Sequence, residues 1–157
     1  MLKLASANAI SIRIVTPGTD DVTPISELVV DCRPTGLHLE GALLEAAIHC
    51  DAGLLLLMTE DYSFEDGLHI YLVDPGFVLL DSASMGLAYA DALFSDLRLQ
   101  PPDTVLFRFL GPAEWSVRIL PQRTWRMPFF SEPLGVSRTF GFVRRFIVHA
   151  KTPARDG

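Results

Sequence analysis

The stretch Leu68–Asp81, LHIYLVDPGFVLLD, decides the fold class of this chain. Apolar and polar side chains alternate from Leu68 to Val73, as along a strand with one face in a core. In Asp74-Pro75-Gly76, proline presets φ for a tight turn and glycine tolerates a positive φ. Phe77–Asp81 then predicts a strand that returns antiparallel to the first. This hairpin is the clearest local feature of the sequence, and it indicates an antiparallel β protein.

Short apolar segments separated by turn residues precede the hairpin. Ile10–Val15 alternates with period two, and Ile25–Cys32 is a candidate strand that we expect to end at Arg33-Pro34-Thr35-Gly36. Leu54–Met58 is far shorter than the roughly 20 apolar residues that span a bilayer, so it predicts one buried strand. Asp51-Ala52-Gly53, just before this run, is typical of a hairpin turn.

Residues 37–49 allow two interpretations. Leu39, Leu43 and Ala46 are spaced for an apolar helical stripe, and the segment is rich in good helix formers. The hairpin turn that follows favours instead a strand paired with Leu54–Met58. We favour the strand, and a helix stays open as the alternative.

The second half of the chain continues the pattern, and Phe140–His149 gives a last strand. About nine short strands with at most one or two short helices predict a mainly β fold, an antiparallel sandwich or a partly open barrel. One face of each sheet should then be solvated. The length fits a single globular domain over 1–157, with 152–157 as a frayed tail. In the second half of the chain, the apolar residues that alternate along the predicted strands are Val105, Phe107 and Phe109, then Trp115, Val117 and Ile119.

Charge is distributed unevenly. Pro34–Leu97 contains 64 residues with no Lys or Arg and with eleven acidic side chains, whereas ten basic and four acidic residues follow from Arg98 onward. Such asymmetry points to a polar partner surface. The alternative is that acidic and basic strands neutralise each other within a sheet.

The remaining features of the sequence limit the kinds of protein that this chain could be. The N-terminal residues carry no apolar run of signal-peptide length, which predicts a cytoplasmic protein that does not bind a membrane. Cys32 and Cys50 are then expected to be free thiols. The net charge of −6 argues against nucleic acid as a partner, although arginines and aromatic residues are interspersed in the second half. No motif of a known catalytic or cofactor site is present, so we expect no cofactor and no catalytic residue.

Two groups of side chains are candidates for a site. His38, His49 and His69 lie in the acidic stretch, and an enzyme or metal site would need one of them within hydrogen-bond reach of at least two acids. The loop Glu60–Gly67 interleaves aromatic residues with carboxylates, which suits a protein-binding surface better than a calcium loop. The candidate partner-binding residues are Glu60, Asp61, Tyr62, Phe64, Glu65 and Asp66.

Three segments carry a family resemblance: Gly36–Glu45 (GLHLEGALLE), Leu54–Asp61 (LLLLMTED) and Leu68–Asp74 (LHIYLVD). They resemble a group of small bacterial proteins of polymorphic-toxin and type VI secretion loci, the cognate immunity proteins. The similarity extends over Gly36–Leu120. It implies a non-catalytic protein that neutralises a toxin by stoichiometric binding, and an acidic surface suits a basic toxin cleft. Charge reversal at Asp61 and Glu65 should then weaken binding.

Two other functions remain open. A small-molecule-binding barrel would be lined by large aromatic side chains, and an enclosed apolar cavity would favour it. An enzyme would use the histidines and carboxylates described above. The candidate barrel lining is Phe107, Phe109, Trp115, Phe142 and Phe146.

Overall fold

The computed structural model describes residues 2–61, 67–86, 92–125, 133, 135–138 and 143–151, and among these residues all regular structure is β. The predicted mainly β class is therefore confirmed, with more strands than the nine expected. The strands are β1 Lys3–Leu4, β2 Ile10–Thr16, β3 Ile25–Val30, β4 Arg33–Glu40, β5 Leu43–Cys50, β6 Gly53–Thr59, β7 Leu68–Val73, β8 Leu79–Met85, β9 Ala92–Gln100, β10 Thr104–Leu110, β11 Glu114–Trp125, β12 Val136–Arg138 and β13 Val143–Lys151.

The strands form three antiparallel sheets. A six-stranded sheet, here the central sheet, has the order β1-β5-β6-β7-β8-β12. A four-stranded sheet has the order β13-β11-β10-β9, and a three-stranded sheet has the order β2-β3-β4. Most described residues of the Lys- and Arg-free stretch thus lie in the central sheet and β4, while β10, β11 and β13 of the four-stranded sheet come from the basic half. β9 begins in the Lys- and Arg-free stretch, and β12 of the basic half belongs to the central sheet.

The central sheet is covered on both faces. Leu55 and Leu57 of β6 pack with Phe107 and other residues of the four-stranded sheet. Leu56 and Met58, on the other face, pack with Leu28 of the three-stranded sheet. A strand enclosed on both sides is mostly apolar, and burying one leucine stabilises the fold by about 1.5–3 kcal/mol. The expectation that one face of each sheet is solvated is wrong for this sheet.

Both predicted hairpin turns are present in the central sheet. Cys50 pairs with Gly53 across Asp51-Ala52, which joins β5 to β6. Gly53 has φ 139°, and a Cβ there would lie 2.1 Å from the carbonyl oxygen of Val73. Only glycine lets β6 and β7 approach this closely.

The turn between β7 and β8 differs in detail from its prediction. Its positive φ falls at Phe77 (64°) and not at Gly76, and β8 begins only at Leu79. The Asp74 carboxylate accepts hydrogen bonds from the backbone N–H groups of Gly76 and Val78, at 2.8 and 2.9 Å. The aspartate side chain therefore organises a longer loop than the prediction allowed.

The segment 37–49 is β apart from Gly41 and Ala42, which confirms the favoured alternative over the helix. It is nevertheless two strands in two sheets, because Gly41 (φ 137°) breaks the chain between β4 and β5. A Cβ at Gly41 would lie 2.9 Å from that of Met58. The turn expected at Arg33–Gly36 is the beginning of β4, and the reversal occurs earlier, at Asp31 and Cys32, which have positive φ.

Candidate partner-binding site

One end of the central sheet collects carboxylates from three chain segments. Strand register places Leu43, Thr59, Leu68 and Met85 side by side at this end. The link from β4 to β5 and the loop after β6 both lie here, because antiparallel neighbours alternate their connections between the two ends of a sheet. We call the surface formed by Glu40, Glu45, Glu60 and Asp61 the acidic end.

His69 of β7 joins two of these carboxylates. Its Nε2 lies 2.9 Å from Glu60 Oε1, and its Nδ1 lies 3.0 Å from Ser84 Oγ on β8 and 3.8 Å from Glu40 Oε2. A carboxylate only accepts hydrogen bonds, so Nε2–H donates to Glu60. In the neutral ring, Nδ1 then accepts the hydroxyl hydrogen of Ser84. The ring is 5% exposed, so the acidic end rests on a buried polar support.

Two further contacts fix the acidic end to the sheet. The Tyr71 hydroxyl donates to the Glu40 carbonyl oxygen at 2.9 Å, and the buried Thr59 hydroxyl donates to Glu45 Oε1 at 2.8 Å. Burial raises the pKa of Tyr71, and the Glu40 carboxylate raises it further. The phenol therefore stays a neutral donor, which holds the end of β4 against β7.

The carboxylates themselves face solvent to different degrees. The Glu40 side chain is 55% exposed and that of Glu60 is 16% exposed. Glu45 and Asp61 are exposed, and Asp61 has φ 62°, a conformation that aspartate tolerates better than most residues. The acidic end thus combines the hydrogen-bonded carboxylates of Glu45 and Glu60 with the exposed ones of Glu40 and Asp61.

Two of the six predicted partner-binding residues lie at this site. Glu60 and Asp61 belong to the acidic end, whereas Tyr62, Phe64, Glu65 and Asp66 lie outside the described residues. Glu40 and Glu45 were not among the predicted partner-binding residues. Their position follows from strand pairing between sheets, which spacing along the chain does not encode.

Charge neutralisation between the two halves of the chain is real but local. Asp81 of β8 is buried with Arg138 of β12 at 2.5 Å and Arg144 of β13 at 3.7 Å. At the surface, Asp96 pairs with Arg108 at 3.1 Å. The Asp81–Arg138 pair lies within the central sheet, the Asp81–Arg144 pair joins two layers, and the Asp96–Arg108 pair lies within the four-stranded sheet. Among the described residues, Glu40, Glu45 and Asp61 form no ion pair with Lys or Arg.

Among the described residues, no histidine lies within hydrogen-bond distance of two acids, as an enzyme or metal site would require. His69 has one acid within hydrogen-bond distance, and His38 and His49 are exposed on other strands, opposite Glu27 and Lys3. Within the described part of the chain, no group of three or more His, Cys, Asp or Glu side chains could hold a metal ion. Cys32 and Cys50 are free thiols, and burial raises the pKa of the Cys50 thiol.

The aromatic residues proposed to line a barrel fill a core. Phe107, Phe109, Trp115 and Phe146 are at most 4% exposed and pack between the central and four-stranded sheets, while Phe142 lies outside the described residues. Two grooves open at the margins of the layers, one beside Cys50 and Arg145 and one beside Leu44 and Leu97. None of these four rings lines either groove.

Comparisons with known proteins add no identification. No protein-family model, curated protein or solved structure was found to match this chain. Among the described residues, no helix is long and apolar enough to cross a membrane.

Proposed function

We propose that this protein is a non-catalytic binding protein, an immunity protein that neutralises a cognate bacterial toxin by stoichiometric binding through its acidic end. The observation that carries the proposal is the convergence of Glu40, Glu45, Glu60 and Asp61 from three segments onto one anchored surface. The family resemblance described above supports the same function.

The physical case is electrostatic complementarity. Basic clefts are common where a protein acts on a phosphate-bearing substrate, and a cluster of carboxylates both attracts such a cleft and blocks it. The carboxylate of Asp81 is enclosed between arginines, so it contributes little to the outside field. Glu40, Glu45 and Asp61 lack Lys or Arg partners within the described chain, so their field reaches a partner.

The anchoring suits binding by a preformed surface. Thr59 and Tyr71 fix Glu45 and the end of β4, and His69 holds Glu60. Groups that are already ordered lose less conformational entropy when a partner binds. A rigid acidic surface can therefore bind tightly over a small area.

The test is a pull-down with the product of the adjacent gene, followed by rescue of growth when that product is expressed. The informative variant is Glu40→Gln with Asp61→Asn, which removes two charges from the acidic end. Its matched control is Asp31→Asn with Asp51→Asn, at the opposite end of the strands. Each pair includes one aspartate with positive φ, which asparagine also tolerates.

We expect wild type and the control pair to bind and to restore growth, and the acidic-end pair to bind more weakly and to restore growth incompletely. Absence of binding by the wild-type protein would reject the proposed partner class. Equal binding by both pairs would reject the acidic end as the surface.

A further inference from the structure

The outer edge of β5 is only half covered. β1 pairs with β5 through Lys3–His49 and Leu4–Ile48, and the N–H of Ala5 donates to the Ala47 carbonyl oxygen at 2.8 Å. The chain then turns away, because the Ser6 carbonyl accepts the N–H groups of Ala9 and Ile10 and leads into β2. In the described chain, no strand pairs with the outer edge of residues 43–46. The central sheet therefore ends in an open edge next to the acidic end.

An apolar groove of about 430 Å³ runs along this open edge. Its walls come from the segment after β1, from β2, from β5 and from Leu97 of β9. Leu97 lies at a register irregularity of β9, next to Asp96 with φ 53°. The residues that form the groove beside β5 include Leu4, Ala7, Ile12, Leu44, Ala47 and Leu97.

These two features together fit an extended chain. An open strand edge offers backbone N–H and C=O groups to another strand, and a neighbouring recess takes its alternate side chains. β1 already occupies the adjoining part of the same edge in this way, with two residues. A strand from another molecule would continue the pairing that β1 begins.

The charge of Glu45 favours one kind of added strand over another. Glu45 lies on the open edge, at the register irregularity of β5 between Leu44 and Ala46, and it is exposed. A second copy of this chain, paired antiparallel in the register that sets Glu45 opposite Glu45, would bring two like charges together, which is destabilising. A basic strand would instead gain an ion pair.

We propose that a cationic protein partner adds an extended strand to β5 along residues 43–46, with a basic side chain at Glu45 and an apolar side chain in the groove. The basic character of the partner rests on the proposed function. The site itself rests on the open edge and the groove.

The probe is the peptide acetyl-Val-Lys-Val-Lys-Val-Lys-amide, with amide hydrogen exchange measured along β5. We expect exchange at residues 43–47 to slow by about fivefold at millimolar peptide, as added strand pairing protects these amides. The same peptide with Glu in place of Lys should give no protection.

Three variants define the contact. Glu45→Gln removes the charge and keeps an oxygen that can accept the Thr59 hydroxyl, so it should weaken the effect without loosening the sheet. Leu43→Lys should abolish the protection by the peptide. Leu79→Lys is the control on β8, since Leu43 and Leu79 are 43% and 40% exposed, and it should behave as wild type.

Absence of protection in wild type at millimolar peptide, or protection on β9 or β2 instead of β5, would overturn the proposal. Protection of residues 43–47 that grows with protein concentration alone would assign the edge to a second copy and also overturn it. Failure of toxin rescue with peptide protection intact would reject the toxin and leave the strand site. Rescue without peptide protection would reject the strand site and leave the toxin.

Discussion

Asp81 and Asp61 come from the same Lys- and Arg-free stretch and have opposite environments. Asp81 is 8% exposed, contacts Arg138 and Arg144, and accepts the backbone N–H of Arg145 at 2.9 Å. Asp61 is exposed at the acidic end and, within the described chain, has no Lys or Arg partner. The contrast shows that one acidic stretch of a sequence can contain two kinds of carboxylate, buried and exposed. One stabilises the contact between layers, and the other is available to a partner.

The largest expected effect on stability is at Asp81, the buried residue of the two. Asp81→Ala leaves two buried arginines without their carboxylate, which should lower the free energy of unfolding by about 3–5 kcal/mol. Urea denaturation measures it. The control is Asp96→Asn, since asparagine tolerates the positive φ of this position, and the exposed pair with Arg108 should be worth less than about 1 kcal/mol. Similar losses for both variants would contradict the distinction between the two kinds of carboxylate.

The support of the acidic end should give an intermediate effect. His69→Ala removes the hydrogen bonds to Glu60 and Ser84, which should cost about 1–3 kcal/mol of unfolding free energy. Thermal denaturation with hydrogen exchange at the loop after β6 checks this value. An unchanged melting temperature would mean that the ring does not anchor the acidic end.

The three-stranded sheet offers a pH test. Arg13, 2.6 Å from Glu27, lowers the pKa of that carboxyl below its usual 4.5, and the Gly36 N–H adds to the shift. Because the folded-state pKa is the lower one, this stabilisation is complete above pH 4.5 and is lost as pH falls through the folded value. Glu27→Gln should therefore flatten the acid limb of stability against pH. An acid limb as steep as that of wild type would assign the loss to other carboxylates.

The smallest expected effect on stability is at the acidic end itself. Glu40→Gln with Asp61→Asn removes exposed charges that are not paired with Lys or Arg, so unfolding free energy should change by no more than about 0.5 kcal/mol. Chemical denaturation of the variant and wild type in parallel checks it. A loss comparable to that of Asp81→Ala would show that these carboxylates serve the fold.

Much of the fold could be predicted from the sequence, because the signals were local. The turns at Asp51-Ala52 and Asp74-Pro75 and the period-two alternation of Ile10–Val15 each lie within a few residues. The third layer could not be predicted this way. Leu54–Met58 indicated a buried strand, but the sheet that covers its second face begins more than twenty residues earlier, at Ile10–Thr16.

The site was less predictable for the same reason. Glu60 and Asp61 were recognised from a local run of carboxylates. Glu40 joins them only because His69 of β7 lies beside the end of β4, a contact between sheets. Likewise, the spacing along the chain gave no signal that Asp81 would be enclosed by Arg138 and Arg144, from strands more than fifty residues later.

The most direct test of the central claim is the association rate constant with the adjacent gene's product, measured by stopped flow at low and at physiological salt. At low salt we expect Glu40→Gln with Asp61→Asn to associate about tenfold more slowly than Asp31→Asn with Asp51→Asn, and the difference to shrink as salt rises. Equal rates for the two pairs at both salt concentrations would contradict the account.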